Sequence, residues 1–421
     1  MDIFIKRIKK YPKTNFILLI IVFLTATVYA GEVGFKRTAL EKLIGRFDSA
    51  TCKRGTFTVS SDGIRVAWIE KVGGNELAVV DGHQGKAYKT IGSDIGESGL
   101  EGPPVFSPDS KKVAYAADIG HGCRIVENEQ EGKYVSIGPI IYSPDSRFLA
   151  YPGRVDGKWF IVVNEQEREK CNHPRNIVFS PDSKRLVYSD STQNDDEWFI
   201  VVNGQERKYY DGFVGDIFLS PDSQRAAYLV EPKARGRFVV IDGQEISGDA
   251  QLGPTVFSPD SKKVAHVMFS SGKQRHKEFM VVNGQKEKEY NEIRRDLIFS
   301  PDSKHLAYVV KNSYTEELVV VDGQEGKPYC SIGNEVGVGG VSGRPAFSPD
   351  SKKLAYVADT GHGCCVVVNE KEEKYYDFVS PCVFSPDSKR LAYTAGSGQK
   401  RDVWSATRER FAVIDGSEGK L

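Results

Sequence analysis

Two short turns in the sequence carry residue types that can bind a metal ion. His121 and Cys123 lie in the sequence G-H-G-C, and His362 and Cys364 lie in a second copy of it. Imidazole and thiolate are both good ligands for soft transition metals. Glycines on either side of a polar residue also make a tight turn between strands, and this structural interpretation is favoured. We therefore treat the four residues as weak metal-ligand candidates and the two histidines as binding candidates.

The segment before the last apolar run carries the best candidate for a protein contact. Trp404 lies there, with Arg401 and Arg408 nearby. Trp and Arg are common energetic centres of protein interfaces, because they bury large surfaces and make directed contacts. The alternative is that Trp404 packs onto its own sheet and plugs the loop. We take these three residues as the predicted binding residues.

Signatures of common enzyme classes do not occur in the sequence. There is no G-x-S-x-G nucleophile elbow and no H-E-x-x-H zinc helix. A catalytic site would need carboxylates and histidines that converge on one place, but His83, His173, His276 and His305 share no position within the repeat. We predict no catalytic residue and no cofactor. The alternative is a carbohydrate-active lyase or hydrolase of the propeller type.

One motif recurs along the chain and determines the expected fold. It is F-S-P-D-S, followed by Lys or Arg, an apolar residue, Ala and Tyr, with a diverged first copy around Asp62. Successive copies lie 36 to 48 residues apart. A period near forty is typical of a four-stranded propeller blade, so the sequence predicts nine blades. The other eight copies place their Asp at Asp109, Asp145, Asp182, Asp222, Asp260, Asp302, Asp350 and Asp387.

Each copy is predicted to contain four strands, which we call A to D in chain order. Strand A ends at Phe-Ser, the S-P-D-S sequence forms a tight turn, and strand B follows, as at residues 111–115. Strand C is continuously apolar, as at 199–202, which predicts burial of both its faces. It ends in Asn-Gly or Asp-Gly, a strong hairpin signal. Strand D mixes charged residues with Tyr, so it is expected at the edge that meets water.

The repeated F-S-P-D-S-K-x-x-A-Y hairpin resembles the WD40-like β-propeller repeat of the TolB type, over residues from about 50 to 421. The commonest form of that repeat has Gly where most copies here have Ser, and only Gly63 in the first copy keeps it. The resemblance implies an all-β fold, with a single β-propeller of about nine four-stranded blades and eight as the alternative. It implies no shared activity, because such propellers occur in periplasmic scaffolds, peptidases and lyases.

The ninth copy ends soon after strand C, at Asp415-Gly416. This ending predicts that the copy lacks its own strand D and that residues 45–56 supply one, which would close the ring and remove an open sheet edge. An incompletely closed array is the alternative.

Connections between the predicted strands form a constant and a variable set. The S-P-D-S and Asn/Asp-Gly turns hardly vary, whereas the B–C and D–A connections vary greatly in length. The two sets lie at opposite ends of an up-and-down blade. A rigid scaffold with diverse loops at one end is typical of a recognition surface, although neutral drift gives the same pattern. The longest variable connections are residues 92–102, 189–197, 270–277, 333–343 and 395–410.

Two variable regions are near copies of each other. G-K-A-Y-K-T-I-G from Gly85 recurs as G-K-P-Y-C-S-I-G from Gly326, and each is followed by one of the G-H-G-C turns. Matched residues lie 241 positions apart, as Asp109 and Asp350 do. Internal duplication is the simplest explanation.

Residues 1–30 are predicted to be a signal peptide. A basic stretch from Lys6 to Lys13 precedes the apolar run 16–24, and Val28-Tyr29-Ala30 offers small residues at the positions that a signal peptidase inspects. The mature chain would begin at Gly31, with 31–49 a linker or short helix and 50–421 the propeller. The alternative is an uncleaved membrane anchor, although the stretch 16–30 is shorter than the roughly 20 apolar residues of a spanning helix.

Composition narrows the expected partners. The chain has 57 basic and 57 acidic residues, and removal of residues 1–30 leaves 52 basic and 56 acidic ones, which argues against nucleic acid as a partner. Its seven cysteines include no C-x-x-C pair and are interpreted as small apolar strand residues. We therefore expect a monomeric, non-catalytic scaffold in the periplasm or outside a bacterial cell, without stable membrane insertion after cleavage. It would bind a protein or another envelope component through its loop-rich end.

Overall fold

The computed structural model describes most of the chain from residue 51 onward. Within the first fifty residues it describes four strands, Phe4–Ile5, Lys9–Lys10, Phe16–Thr25 and Thr38–Asp48. The description beyond residue 50 leaves out residues 93, 97–98, 121, 137–138, 234–236, 247–251, 271–276, 295, 314, 334–343, 398–408 and 421. All the described elements are strands, which confirms the predicted all-β class.

The segment between the predicted signal peptide and the first repeat forms a strand. Thr38–Asp48 pairs antiparallel with Phe16–Thr25 over its whole length. The short helix considered within residues 31–49 is therefore wrong for 38–48. Phe16–Thr25 is rich in Ile, Val and Phe, which favour strands, and a strand beside it satisfies the backbone groups that it exposes.

Nine antiparallel units follow among the described residues, which we number as sheets 1 to 9 in chain order, each with strands A to D. Pairing of Gln130–Ser136 with Leu149–Val155 joins sheets 2 and 3 into one continuous sheet. Sheet 1 contains Thr58–Val59, Val66–Val72, Asn75–Val80 and His83–Tyr88; sheet 2 contains Ile91–Gly92, Val105–Phe106, Val113–Asp118, Cys123–Glu127 and Gln130–Ser136. A small hairpin, Asp94–Gly96 with Gly99–Glu101, lies between Ile91–Gly92 and Val105–Phe106 of sheet 2. Sheet 3 contains Ile141–Tyr142, Leu149–Val155, Lys158–Val163 and Gln166–Cys171; sheet 4 contains Arg175–Phe179, Leu186–Ser191, Trp198–Val202 and Gln205–Tyr210.

The remaining five sheets repeat this order. Sheet 5 contains Gly212–Leu219, Ala226–Pro232, Phe238–Ile241 and Gln244–Ile246; sheet 6 contains Leu252–Phe257, Val264–Ser270, Lys277–Val282 and Gln285–Tyr290. Sheet 7 contains Glu292–Ile293, Ile298–Phe299, Leu306–Ser313, Glu316–Val321 and Gln324–Glu325; sheet 8 contains Ser331–Ile332, Ala346–Phe347, Leu354–Asp359, Cys364–Val368 and Lys371–Glu372. Sheet 9 contains Phe378–Val379, Val383–Phe384, Leu391–Ser397, Glu409–Ile414 and Ser417–Lys420. Nine such sheets confirm a β-propeller fold of about nine blades.

The ninth sheet differs from the sequence prediction. Ser417–Lys420 pairs with Glu409–Ile414, so sheet 9 has its own strand D. Cys52, which lies in the segment expected to supply that strand, pairs instead with Glu70 in strand B of sheet 1. The residues after Asp415-Gly416 form the strand because that turn folds the chain back onto strand C.

The chain divides into two compact units, residues 1–211 and 212–421. Within each unit the core lies between successive sheets, where strands B and C of one sheet pack on those of the next. Sheets 7 and 8, for example, enclose Val309, Val319, Tyr356 and Val367, each less than one tenth exposed. Strand C of sheet 5, Phe238–Ile241, is buried at all four positions, which confirms the prediction from its continuous apolar character.

Each S-P-D-S turn is closed by its own side chains, and most of these turns are also bonded to the next sheet. In sheet 6 the Ser258 hydroxyl donates to Asp260 Oδ1 at 2.7 Å, and this bond, first of all, lowers the pKa of Asp260. The Asp260 backbone N–H donates to Ser303 Oγ of sheet 7 at 2.9 Å. Bonds of this second kind, which we call inter-sheet serine bonds, join Asp62 to Ser110, Asp109 to Ser146, Asp145 to Ser183, Asp222 to Ser261, Asp302 to Ser351 and Asp350 to Ser388.

The inter-sheet serine bonds explain why this chain carries Ser where the commonest repeat has Gly. Ser303 has a φ of 63°, in the left-handed region that glycine adopts most easily. This conformation is less favourable for serine than for glycine, but the serine hydroxyl oxygen accepts a hydrogen bond from a backbone N–H of the preceding sheet.

The C–D turns are tied to strand B in a second constant pattern. Asn283 and Gly284 both have positive φ, as the predicted hairpin turn requires. The Asn283 side-chain oxygen accepts the Val264 N–H at 2.9 Å, so the turn also holds the beginning of strand B. An Asn or Asp makes the equivalent bond in every other sheet.

Candidate functional site

The turns and bonds at one end of each sheet are the same from sheet to sheet, whereas those at the other end vary. The hairpin end carries the S-P-D-S and C–D turns and repeats the same bonds from sheet to sheet. The connector end carries the B–C and D–A connections, and its side-chain contacts differ between sheets.

Several predicted site residues lie outside the described part of the chain. These are Trp404, Arg401, Arg408 and His121. His362 is described and is exposed in the second G-H-G-C turn. In that turn the Thr360 N–H donates to the Gly363 carbonyl at 3.0 Å, and the Gly361 N–H donates to Asp359 Oδ1 at 2.8 Å. These bonds support the structural interpretation of G-H-G-C as a tight turn.

The cysteines of the two G-H-G-C turns begin strand C of their sheets. Burial, with Asp118 as a smaller cause, raises the pKa of Cys123 and so disfavours the thiolate that a metal would need. Across the described residues, no group of three or more His, Cys, Asp or Glu side chains has a geometry that holds a metal ion.

The duplicated regions also share a buried ion pair, which the sequence analysis missed. Lys53 donates to Glu76 Oε2 at 2.9 Å, and the same oxygen accepts the Ile91 N–H at 2.8 Å. At positions 241 further on, Arg294 Nη1 lies 3.3 Å from Glu317 Oε2, which accepts the Ile332 N–H at 2.7 Å. In both copies a buried carboxylate at the start of strand C fixes the backbone of the next D–A connection. A comparison of residues that lie 241 positions apart in the sequence would reveal this pair.

Sheet 4 has an unusual connector end. Its strand B finishes in Ser189, Asp190 and Ser191, all nearly inaccessible to solvent, where the equivalent strand of sheet 7 continues with Val309 and Val310. Burial raises the pKa of Asp190, and bonds from backbone N–H groups oppose this shift.

The backbone of the preceding connection supplies these bonds. The Asp190 carboxylate accepts the N–H groups of Asn172, at 3.2 Å, and of His173, at 2.7 Å. A buried carboxylate therefore fixes the connection between sheets 3 and 4.

Three side chains lie above this buried segment. His173 Nδ1 is 3.4 Å from Asp195 Oδ2, and His173 Nε2 is 3.0 Å from Arg175 Nη2. The His173 and Trp198 ring centroids are 5.6 Å apart, and the Arg175 guanidinium lies 5.8 Å from the Trp198 centroid. The hydroxyl of Ser191 bonds to Asp195 and is the largest cause that lowers the pKa of Asp195.

We call His173, Arg175, Asp195 and Trp198 the sheet 4 cluster. Sequence reasoning missed it because His173 has no counterpart in other copies, and the four residues come from three separate segments. The sequence signal that was available is the S-D-S segment at 189–191, which stands where strand B would otherwise continue with apolar residues.

The nine sheets and their repeated hairpin define the class: the chain has a β-propeller fold. Solved structures with a similar course of chain include the "eukaryotic initiation factor", at 13% identity and TM-score 0.45, covering 89% of this chain and 88% of that one. The "Dos1 propeller" is similar at 8% identity and TM-score 0.35, with 82% and 89% of the chains covered. TolB from Acinetobacter baumannii is similar at 14% identity and TM-score 0.26, with 65% and 79% covered.

Comparison by sequence adds no relative. No protein-family model matches the chain, and no curated protein matches it. None of the described residues forms a helix long and apolar enough to cross a membrane.

Proposed function

We propose that this protein is an exported, non-catalytic β-propeller scaffold that binds a protein or another envelope component through its connector end. One observation carries the proposal: the hairpin end repeats the same backbone and side-chain bonds in each sheet, whereas the connector end differs from sheet to sheet. Turns with constant bonds maintain the fold, and variable loops on a rigid support are where recognition residues usually lie.

The proposal is tested by affinity capture from the envelope fraction of the native host, with quantitative mass spectrometry. Trp404→Ala should reduce recovery of the specific partner at least tenfold, because loss of an aromatic anchor typically costs an interface 2 kcal/mol or more.

Gln285→Glu is the matched control at the hairpin end. It places a charge on an exposed residue beside the Asn283-Gly284 turn and leaves the Asn283 bond to Val264 intact. Partner recovery should remain at the wild-type level. Recovery lost in Gln285→Glu and kept in Trp404→Ala would show that binding uses the hairpin end.

A propeller-type carbohydrate-active enzyme is the second candidate, favoured by one feature of sheet 4. The pKa of Asp190 is raised by burial and that of Asp195 is lowered by the Ser191 bond, and opposite shifts of neighbouring carboxylates are typical of acid and base pairs. Incubation with peptidoglycan and with acidic polysaccharides, followed by assays for reducing ends and unsaturated products, tests this candidate. Product formation that Asp195→Asn abolishes would replace the scaffold proposal.

A further inference from the structure

Sheet 3 differs from several other sheets at the second residue of strand C. In sheets 1, 6 and 7 this residue is a glutamate whose carboxylate accepts a backbone N–H of the next D–A connection, as Glu76, Glu278 and Glu317 do. Sheet 3 has Trp159 there, and Asp190 of sheet 4 binds the backbone of the following connection instead. Because Asp190 performs this structural role, position 159 can carry an aromatic residue.

The Trp159 side chain is half-buried, and Arg154 lies over it. The two residues pair in register on strands C and B, and the Arg154 guanidinium carbon lies 5.5 Å from the centroid of the indole ring. The tight turn between these strands, Asp156-Gly157, has positive φ at both residues. Arg154 Nε donates to the Gly157 carbonyl at 3.2 Å. The indole ring and the turn carbonyl therefore hold the guanidinium in one orientation.

Arg154 has no carboxylate partner among the described residues. Three other arginines that lie over aromatic rings each bind an aspartate of their own sheet, at 2.6 to 2.8 Å; they are Arg65, Arg147 and Arg225. Arg154 is exposed, and Asp156 in its own turn makes no ion pair with it. A guanidinium presents its N–H groups in a planar fork that matches a carboxylate. The fork of Arg154 is therefore oriented toward solvent without an anion.

We propose that Arg154 and Trp159 form a docking site for an acidic segment of a protein partner, in which an Asp or Glu carboxylate binds the Arg154 guanidinium. Trp and Arg are enriched at the energetic centres of protein interfaces. A sugar ring would stack on an open aromatic face, whereas this indole packs against the core between sheets 3 and 4 and lies under the guanidinium. The inference rests on the proposed function, because it names one contact at the connector end.

The test titrates the full chain with a synthetic hexapeptide of alternating Asp and Glu, with both ends blocked. NMR follows the Arg154 Nε–H and Trp159 indole N–H signals, which Arg154→Gln and Trp159→Phe assign. Both signals should shift saturably with the acidic peptide, and the affinity should fall at high salt, because salt screens an exposed ion pair. The matching Asn/Gln hexapeptide should shift neither signal. Unmoved signals with the acidic peptide, or equal shifts with the neutral one, would overturn the proposal.

Two arginine variants show whether the acidic peptide recognises this site or positive charge in general. Arg154→Gln should weaken its binding about tenfold, because hydrogen bonds to a charged group are lost. Arg147→Gln is the matched control, since it removes an exposed arginine that lies over Phe148 at the hairpin end of the same sheet. Its affinity for the peptide should equal that of the wild type, and equal losses in the two variants would contradict the proposal.

A second ligand distinguishes an acidic protein segment from an acidic glycan. An oligogalacturonate with the same number of carboxylates as the acidic peptide should bind more weakly than the peptide does. Equal or tighter binding of the oligosaccharide would show that the site does not select a protein segment, and would overturn the proposal.

Affinity capture from the envelope fraction separates this inference from the proposed function. Recovery that falls in Arg154→Gln and not in Arg147→Gln supports both. Recovery that falls in Trp404→Ala and not in Arg154→Gln shows that the partner uses the connector end without this site, so that only the inference fails. Recovery lost only in Gln285→Glu contradicts the proposed function, and the peptide titration then still decides whether Arg154 binds carboxylates.

Discussion

At the residue scale, the most unusual side chain outside the sheet 4 cluster is His266. It occupies the strand B position where most copies have Tyr, pairs in register with Thr255 and Val281, and is fully buried. Neither ring nitrogen has a hydrogen-bond partner among the described residues. Burial lowers the pKa of His266 to about 4, because the charged ring would lose its hydration.

This burial predicts a loss of stability in mild acid. The unfolded state takes up the proton near the ordinary pKa of 6.5, whereas the folded state does so only near pH 4. The free energy of unfolding should therefore fall as the pH drops from about 6.5 to about 4, by roughly 3 kcal/mol in total. Urea unfolding of the wild type and of His266→Phe at several pH values measures this contribution.

His266→Phe should lose less stability over that interval, and His83→Gln, at an exposed position, should behave as the wild type does. Parallel curves for the wild type and His266→Phe would contradict the assignment of the buried neutral ring.

At the element scale, successive sheets are held together by their cores and by the inter-sheet serine bonds. Ser303 is 3% exposed, and its hydroxyl oxygen receives the Asp260 N–H. Ser303→Ala keeps a Cβ at a left-handed φ but removes the acceptor, so it should cost roughly 1 kcal/mol of unfolding free energy. Denaturant unfolding measures this cost.

Ser303→Gly separates the two effects. It also removes the acceptor, but it relieves the backbone cost of a φ of 63°, so its destabilisation should be smaller than that of Ser303→Ala. Unchanged unfolding midpoints in both variants would show that the inter-sheet serine bonds add nothing to stability.

The buried ion pair of the duplicated regions gives a second prediction at this scale. Glu317→Ala removes the carboxylate that holds Arg294 and the Ile332 N–H. It should cost about 2 kcal/mol, because a buried backbone donor loses its acceptor and a largely buried guanidinium, which keeps Asp296, loses one of its two carboxylate partners. The neighbouring Glu316 is exposed, and Glu316→Ala should change the unfolding midpoint little. Equal effects of the two substitutions would argue against a structural role for the pair.

At the scale of the whole molecule, the main prediction concerns export. Protein purified from the native host should begin at Gly31, since Val28 and Ala30 provide small residues before the cleavage site. N-terminal sequencing decides this, with Ala30→Arg as a variant that should block processing. Recovery of the wild type with an intact Met1 in the membrane fraction would favour the uncleaved anchor.

The amino-acid sequence by itself determined the repeat, the nine sheets and both constant turns. These features depend on local preferences, such as Pro and Asp in the S-P-D-S turn and positive φ at Asn-Gly, and on the continuous apolar pattern of strand C. Local patterns failed at Thr38–Asp48 and at Ser417–Lys420, where pairing with a neighbouring strand decided the structure.

Only the tertiary structure showed the contacts between segments distant in sequence. It brought His173, Arg175 and Asp195 together, joined Glu317 to Arg294, and buried His266 without a partner among the described residues. A side chain's hydrogen bonds and protonation depend on which other segments surround it, and the packing of sheets sets those surroundings. Sequence periodicity specifies that the sheets form, but it carries no information about which side chains from distant segments come into contact.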